Sequence, residues 1–168
     1  MKYFVVLMVW FSPLVKAQSP VSCMEIAQAR EFDFWIGEWD AYVTGTEKLA
    51  GHSKIEMASG GCMILESWTS VGQPFSGKSM NFVDPATKKW KQVWVGSGGI
   101  NVSEFLNGEY REGAMRFEFQ HKLTDGSTQW VRFHFYNAGN NEVRQLHQTS
   151  PNGADWTTTY DFTYKRKS

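Results

Sequence analysis

Polar side chains alternate with tryptophans along several short apolar segments, and this is the pattern in the chain most able to bind or transform a small molecule. Glu66 stands two residues before Trp68, and Gln92 stands between Trp90 and Trp94. Because side chains two apart in a β-strand share one face, each polar group lies beside an indole. Aromatic walls with a few convergent polar groups are typical of a ligand pocket. We therefore expect these ligand-binding residues: Glu66, Trp68, Asn81, Gln92, Trp94, Arg132 and His134.

Glu66 and Gln92 also fit structural roles. Glu66 would then form a buried ion pair with Arg132 or Arg144, or would face solvent on a one-sided sheet. Gln92 would be a core amide whose hydrogen bonds are satisfied inside the protein. Whichever face of the predicted strand 128–137 is turned inward, some polar groups lie inside. The sequence therefore leaves open which of its two alternating sets of side chains faces the interior.

The histidines raise a second kind of chemistry, that of a metal or a haem. His52, His121, His134 and His147 lie on four different predicted strands, without the close spacing of a compact metal motif. If His134 and His147 faced the same side of one hairpin, they would form a two-histidine site or ligate a haem. This alternative is a haem- or metal-dependent enzyme, and it rests on analogy with other small barrels. Otherwise we expect no cofactor and assign no catalytic residue.

The N-terminus has the composition of an export signal. Lys2 is followed by a 13-residue apolar run, 3–15, that Pro13 interrupts, and Lys16 and Ala17 close the segment. A membrane-spanning helix needs about 20 apolar residues, so the run predicts a signal peptide over 1–17. The protein is therefore expected to be exported, to a periplasmic or extracellular location.

Two cysteines, Cys23 and Cys62, remain after the predicted signal. An even number of cysteines in an exported chain indicates a single disulfide. No histidine or second cysteine lies at redox spacing from either of them, which argues against a reactive thiol.

The charge balance narrows the classes of partner. Removal of 1–17 takes away Lys2 and Lys16 and no acid, which leaves 15 basic and 17 acidic residues and a formal charge of −2. Nucleic-acid binding is not expected at this charge, and neither is an electrostatically held membrane surface. A membrane span in the mature chain is not expected either, and the oligomeric state stays open.

The elements that must position these residues are short alternating segments separated by turn residues such as Asn107-Gly108 and Asp125-Gly126. Hairpins this short leave little chain for Greek-key returns, so they favour an up-and-down barrel of about eight to ten strands over a sandwich. The segment 18–168 is therefore predicted to be one all-β antiparallel barrel domain with a short N-terminal helical arm. The predicted strands are 39–44, 52–58, 62–69, 77–84, 90–97, 102–109, 114–122, 128–137, 142–150 and 156–165.

Six segments carry a resemblance to a known family: F-D-F-W-I-G-E-W-D at 32–40, G-C-M-I-L-E-S-W at 61–68, G-K-S-M-N-F-V-D at 77–84, W-K-Q-V-W-V at 90–95, V-R-Q-L at 143–146 and D-W-T-T-T-Y-D at 155–161. On these motifs the chain resembles a family of small exported proteins, a domain of unknown function that is similar to lipocalin-like, or calycin, β-barrels. The resemblance covers the whole mature chain and departs from the family pattern at Ala41. It implies the barrel fold and no mechanism.

The expected function is binding of a small, partly apolar ligand in a tryptophan-lined barrel interior. Apart from the haem or metal enzyme, the remaining alternative is a structural or partner-binding barrel with a filled core. A barrel of this size encloses either packed side chains or one small ligand, so the size of the interior separates the two.

Overall fold

The protein is a closed barrel of ten antiparallel strands. The computed structural model describes residues 21–100, 102–139 and 141–167, so the predicted signal peptide over 1–17 lies outside the described residues. The strands, numbered in chain order, are β1 (Gly37–Val43), β2 (Leu49–Ala58), β3 (Met63–Ser70), β4 (Ser76–Val83), β5 (Trp90–Gly96), β6 (Val102–Arg111), β7 (Ala114–Lys122), β8 (Thr128–Gly139), β9 (Glu142–Ser150) and β10 (Thr157–Arg166).

Each strand pairs with its neighbours in sequence, and β1 closes the sheet by pairing with β10. This is the up-and-down order that the short hairpins predict, so the predicted all-β barrel is confirmed. All ten predicted strands are present, and their ends shift by three residues at most. Among the described residues, no helix is long and apolar enough to cross a membrane.

The N-terminal arm consists of three short 3₁₀ helices, Cys23–Glu25, Ala27–Arg30 and Asp33–Trp35, which confirms the expected helical arm. Its rings plug one end of the barrel. Phe32 and Trp35 are fully buried, and both contact the ring of Phe135, at centroid distances of 5.0 and 4.6 Å. Phe32 also meets the edge of Trp90 at 5.7 Å. The arm thus supplies aromatic volume to an interior that ten strands alone do not fill.

Gly37 lets the chain turn from the arm into β1. Its φ of +144° is unfavourable for residues with a side chain, and a Cβ there would overlap the Arg166 guanidinium. That guanidinium donates to the carbonyl of Ile36 at 3.0 Å and lies 4.2 Å from the Trp39 ring. The Trp39 indole in turn donates to the Trp35 carbonyl at 2.9 Å. The Trp-Ile-Gly-Glu-Trp segment therefore joins the plug to the first strand.

A disulfide joins Cys23 in the arm to Cys62 before β3, as the cysteine count predicts. Arg30 reinforces this attachment, because it donates to the Gly61 carbonyl and lies 3.3 Å from Asp33. The bridge links residues 39 positions apart, so it keeps the plug close to the barrel even when the chain unfolds.

Replacing Cys23 and Cys62 with serine is expected to lower the free energy of unfolding by up to about 4 kcal/mol, because a loop of about 40 residues is no longer closed in the unfolded chain. Urea denaturation of the oxidised wild type and the double variant measures the difference. A reductant should destabilise the wild type by a similar amount and leave the variant unchanged. Equal unfolding midpoints for the two proteins would show that the bridge contributes nothing to stability.

Candidate functional site

The half of the barrel that the arm does not plug contains an open cavity of about 810 Å³. Its mouth lies at the β1–β2 and β3–β4 loops, where Lys48, Val71, Gly72 and Gln73 are exposed. Aromatic side chains form most of the wall: Trp68, Phe75, Trp94, Phe105, Phe133, Tyr160 and Phe162. Polar side chains lie among them: Glu66, Gln92, Gln145 and His147.

Glu66 is the acid of this cavity. It points inward from the middle of β3, and only 3% of it is exposed. Ser53 of β2 donates to its Oε1, and Ser79 of β4 donates to its Oε2, both at 2.9 Å. Burial raises the pKa of the carboxyl to about 7, although both serine hydroxyls favour the ionised form. The group is therefore poised between its neutral and charged states near neutral pH.

A chain of amides and hydroxyls leads from Glu66 to Gln92. The amide of Asn81 donates to the Ser79 hydroxyl at 3.0 Å and to the Ile64 carbonyl at 3.2 Å. The Gln92 amide donates to the Asn81 carbonyl oxygen at 2.7 Å. Asn81 is completely buried and is not part of the cavity wall, so it orients Gln92 and Ser79 from behind.

Trp68 and Trp94 line the wall one step nearer the mouth than Glu66 and Gln92. The Trp68 indole stacks on Phe162 at 5.8 Å and donates to the Ser70 hydroxyl at 2.9 Å. The Trp94 ring lies 6.3 Å from that of Phe75. Glycines on the neighbouring strands make these positions possible, because a Cβ at Gly51 would overlap Trp68 and a Cβ at Gly77 would overlap Trp94.

Of the seven residues expected to bind ligand, Glu66, Trp68, Gln92 and Trp94 lie together on the cavity wall, and Asn81 supports them. Arg132 and His134 do not line the interior, which corrects the expectation for these two. The apolar set of β8, Val131, Phe133 and Phe135, faces inward, so the alternate residues face outward. Arg132 lies over the Trp156 ring at 3.7 Å, and His134 is 2.9 Å from Glu118.

The structure also corrects the alternative ion pair for Glu66. Arg144 pairs with Asp161 on the outer face at 2.6 Å, and Arg132 is outside as well. No arginine of the described segments lines the cavity. The carboxyl of Glu66 is thus hydrogen-bonded by neutral groups, and the described residues give it no cationic partner inside the barrel.

His147 belongs to the site although no motif marks it. It points inward from β9 and stacks on Tyr160 at 5.0 Å, with Phe105 and Phe133 around it. Burial lowers its pKa to about 4, so the imidazole is neutral at pH 7. The signal that could have identified it is the parity of β9, since an inward Val143 places Gln145 and His147 on the same face.

The two-histidine arrangement does not form. In the β8–β9 pairing His147 is opposite Phe133, whereas His134 is opposite Leu146, so the two imidazoles lie on different faces of the sheet. Nor do any three His, Cys, Asp or Glu side chains of the described chain come together as a metal-binding group. A histidine ligand to a haem in the cavity would have to be His147 alone.

The fold and the cavity together define a class: a closed up-and-down β-barrel with a plugged end and an open, aromatic-lined interior. Searches against protein-family models and against curated proteins both find no match to this chain. The function must therefore be inferred from the cavity itself.

Replacing Glu66 with glutamine removes an acid whose pKa is raised from 4.5 to about 7 by folding. Between these pH values the folded protein holds a proton that the unfolded chain has released. The contribution of this carboxyl to the free energy of unfolding is therefore complete below pH 4.5 and is lost as the pH rises through 7. Between pH 5 and pH 8 the wild type should lose about 2.5 kcal/mol relative to Glu66→Gln, since one pKa unit is about 1.4 kcal/mol and most of the shift is titrated in this range. Urea denaturation at several pH values measures the difference.

Glu104→Gln is the matched control, because Glu104 is exposed on the outer face of β6, where it pairs with Lys91. Its difference from the wild type should vary little with pH. Titration of His147 is common to all three proteins and cancels in the differences. A Glu66→Gln curve parallel to the wild type would mean that Glu66 titrates normally and is not buried as described.

Proposed function

We propose that this protein binds a small, partly apolar molecule in the barrel interior. The observation that carries the proposal is the open cavity of about 810 Å³ between the aromatic plug and the mouth. Its volume lies in the range of about 300–1,000 Å³ that ligand pockets occupy, and its mixture of aromatic walls and few polar groups is also typical of them. A barrel with a filled core, serving as a structural or partner-binding protein, would not keep such a space.

In this proposal the residues have distinct roles. Trp68 and Trp94, with the phenylalanines and Tyr160 around them, provide apolar contact area for the body of the ligand. Gln92 and Glu66 orient its polar end by hydrogen bonds. Asn81 touches no ligand and is a positioning residue, because its amide fixes Gln92 and Ser79.

We also propose that the protein is exported and related to the family of small exported, lipocalin-like proteins that its motifs resemble. The Cys23–Cys62 bridge supports export, since disulfides persist in oxidising compartments. The motif residues support the relationship through their use in the barrel. The motif at 32–40 includes the plug and the start of β1. The motifs at 61–68, 77–84 and 90–95 include the hydrogen-bonded side chains of Glu66, Ser79, Asn81 and Gln92.

Filling the cavity tests the binding function. Ser103→Trp introduces an indole at a position of β6 that lines the cavity beside Trp94. Binding of the neutral fluorescent probe N-phenyl-1-naphthylamine, followed by fluorescence titration, is expected to weaken at least about ten-fold. That loss corresponds to about 1.4 kcal/mol, which is less than full burial of one large apolar side chain contributes.

Val102→Trp is the matched control, because the adjacent Val102 points outward and is exposed. It adds the same indole to the same strand and should leave the probe affinity unchanged. Equal weakening by both variants, or by neither, would contradict binding in the cavity. Absence of probe binding to the wild type would favour the partner-binding barrel, and a Soret band in protein purified from its own host would favour a haem protein with His147 as ligand.

A further inference from the structure

We propose that the ligand of the cavity is a small organic cation, whose ammonium group pairs with Glu66 while its hydrocarbon part lies against the aromatic wall. This inference rests on the proposed binding function and names the chemical class of its ligand. It follows from three properties of the described part of the interior: its charge, the unused acceptor capacity of Glu66, and the aromatic rings beside that carboxyl.

The charge of the interior has one sign. Glu66 is the acid that lines the cavity, whereas the lysine of the lining, Lys48, is exposed in the β1–β2 loop at the mouth. Arg132 and Arg144, the arginines considered above as ion-pair partners of Glu66, face outward and already contact Trp156 and Asp161. A ligand anion would therefore meet an uncompensated carboxylate, and a ligand cation would meet its missing partner.

Glu66 also has acceptor capacity left. A carboxylate offers about four lone-pair sites, and the serine hydroxyls of Ser53 and Ser79 occupy one on each oxygen. These two donors hold the group in a fixed orientation while it borders the cavity. A buried carboxylate without a charged partner is costly, so a cation that enters the cavity gains an interaction the protein does not satisfy by itself.

The walls beside Glu66 suit a cation as well as a hydrocarbon. Indole and phenol rings carry negative charge on their faces, and they attract ammonium groups within about 6 Å of the ring centroid. Trp68 is two residues from Glu66 on the inner face of β3, and Tyr160 and Tyr164 approach from β10. An amine held here has a carboxylate on one side and aromatic rings of the cavity wall around it.

Glu66 is the group of the cavity that titrates near neutral pH. Burial raises its pKa to about 7, lowers that of His147 to about 4 and raises those of Tyr160 and Tyr164 far above neutrality. Its other neighbours, Ser53 of β2 and Ser79 of β4, do not titrate in this range, and neither do Asn81 and Gln92. A ligand with a permanent positive charge should thus bind more tightly as the pH rises through 7, because the carboxyl becomes ionised.

The test compares two probes of the same shape, benzyltrimethylammonium and neopentylbenzene. The first has a positively charged nitrogen where the second has a neutral carbon. Isothermal titration with the folded, oxidised protein at pH 8 is expected to show at least about ten-fold tighter binding of the ammonium probe. In Glu66→Gln this preference should fall to about three-fold or less, the remainder coming from the aromatic faces. Glu104→Gln, on the outer face, should retain the full preference.

A second measurement needs no variant of the site. Between pH 8 and pH 6 the wild type should lose about ten-fold in affinity for benzyltrimethylammonium, the change in the ionised fraction of a carboxyl with a pKa of about 7, and nothing for neopentylbenzene. Equal, pH-independent binding of both probes would overturn the cation inference and leave the proposed function standing. Tighter binding of the anion phenylacetate than of benzyltrimethylammonium would have the same consequence. Binding of neither probe, with no N-phenyl-1-naphthylamine binding either, would overturn the proposed function itself.

Discussion

Closure of the sheet by the β1–β10 pairing is the constraint on which the other features depend. Once ten antiparallel strands form a ring, the two-residue period of a strand sends alternate side chains into one shared interior. That interior is wider than its own inward residues can fill. Phe32 and Trp35 of the arm fill one half, and the cavity occupies the other. The Cys23–Cys62 bridge matters because it keeps the plug at its end of the ring.

The polar chain at the middle of the barrel lies where these two halves meet. Ser53, Glu66, Ser79, Asn81 and Gln92 come from four successive strands, β2 to β5, and they satisfy one another. A network of this kind, in which each side chain has at least one hydrogen-bond partner, can be buried without breaking the fold. It also leaves Glu66 and Gln92 presented to the cavity in fixed orientations, so that structural and binding roles of these residues coexist.

Local sequence patterns predicted much of the fold and about half of the candidate site. Asp125-Gly126 lies in the hairpin between β7 and β8 as predicted, because turn chemistry acts within a few residues. The turn predicted at Asn107-Gly108 is wrong: both residues lie inside β6, where Asn107 has a φ of +57° and the register with β5 shifts, and the β6–β7 hairpin turns at Glu112-Gly113. The tryptophan alternation correctly groups Glu66 with Trp68 and Gln92 with Trp94. The parity of β8 is harder, since Arg132, His134 and Tyr136 alternate with an equally regular apolar set. The outward side chains also have partners on the protein surface, since His134 contacts Glu118 and Arg132 lies over Trp156. The residue types on the two faces of β8 therefore did not reveal which face is the inner one.

Local sequence patterns were enough to predict the ten strands, the antiparallel order, the cysteine pair and which side chains share a face, because turns and period-two alternation are local properties. The packing of the whole barrel sets which face is inside, which end the arm plugs and how much space remains. These depend on the register between strands distant in the chain, such as Phe133 opposite His147, and on volumes summed over the whole interior. A burial-dependent property such as the raised pKa of Glu66 follows from that packing, since the desolvation that causes it comes from residues on several strands.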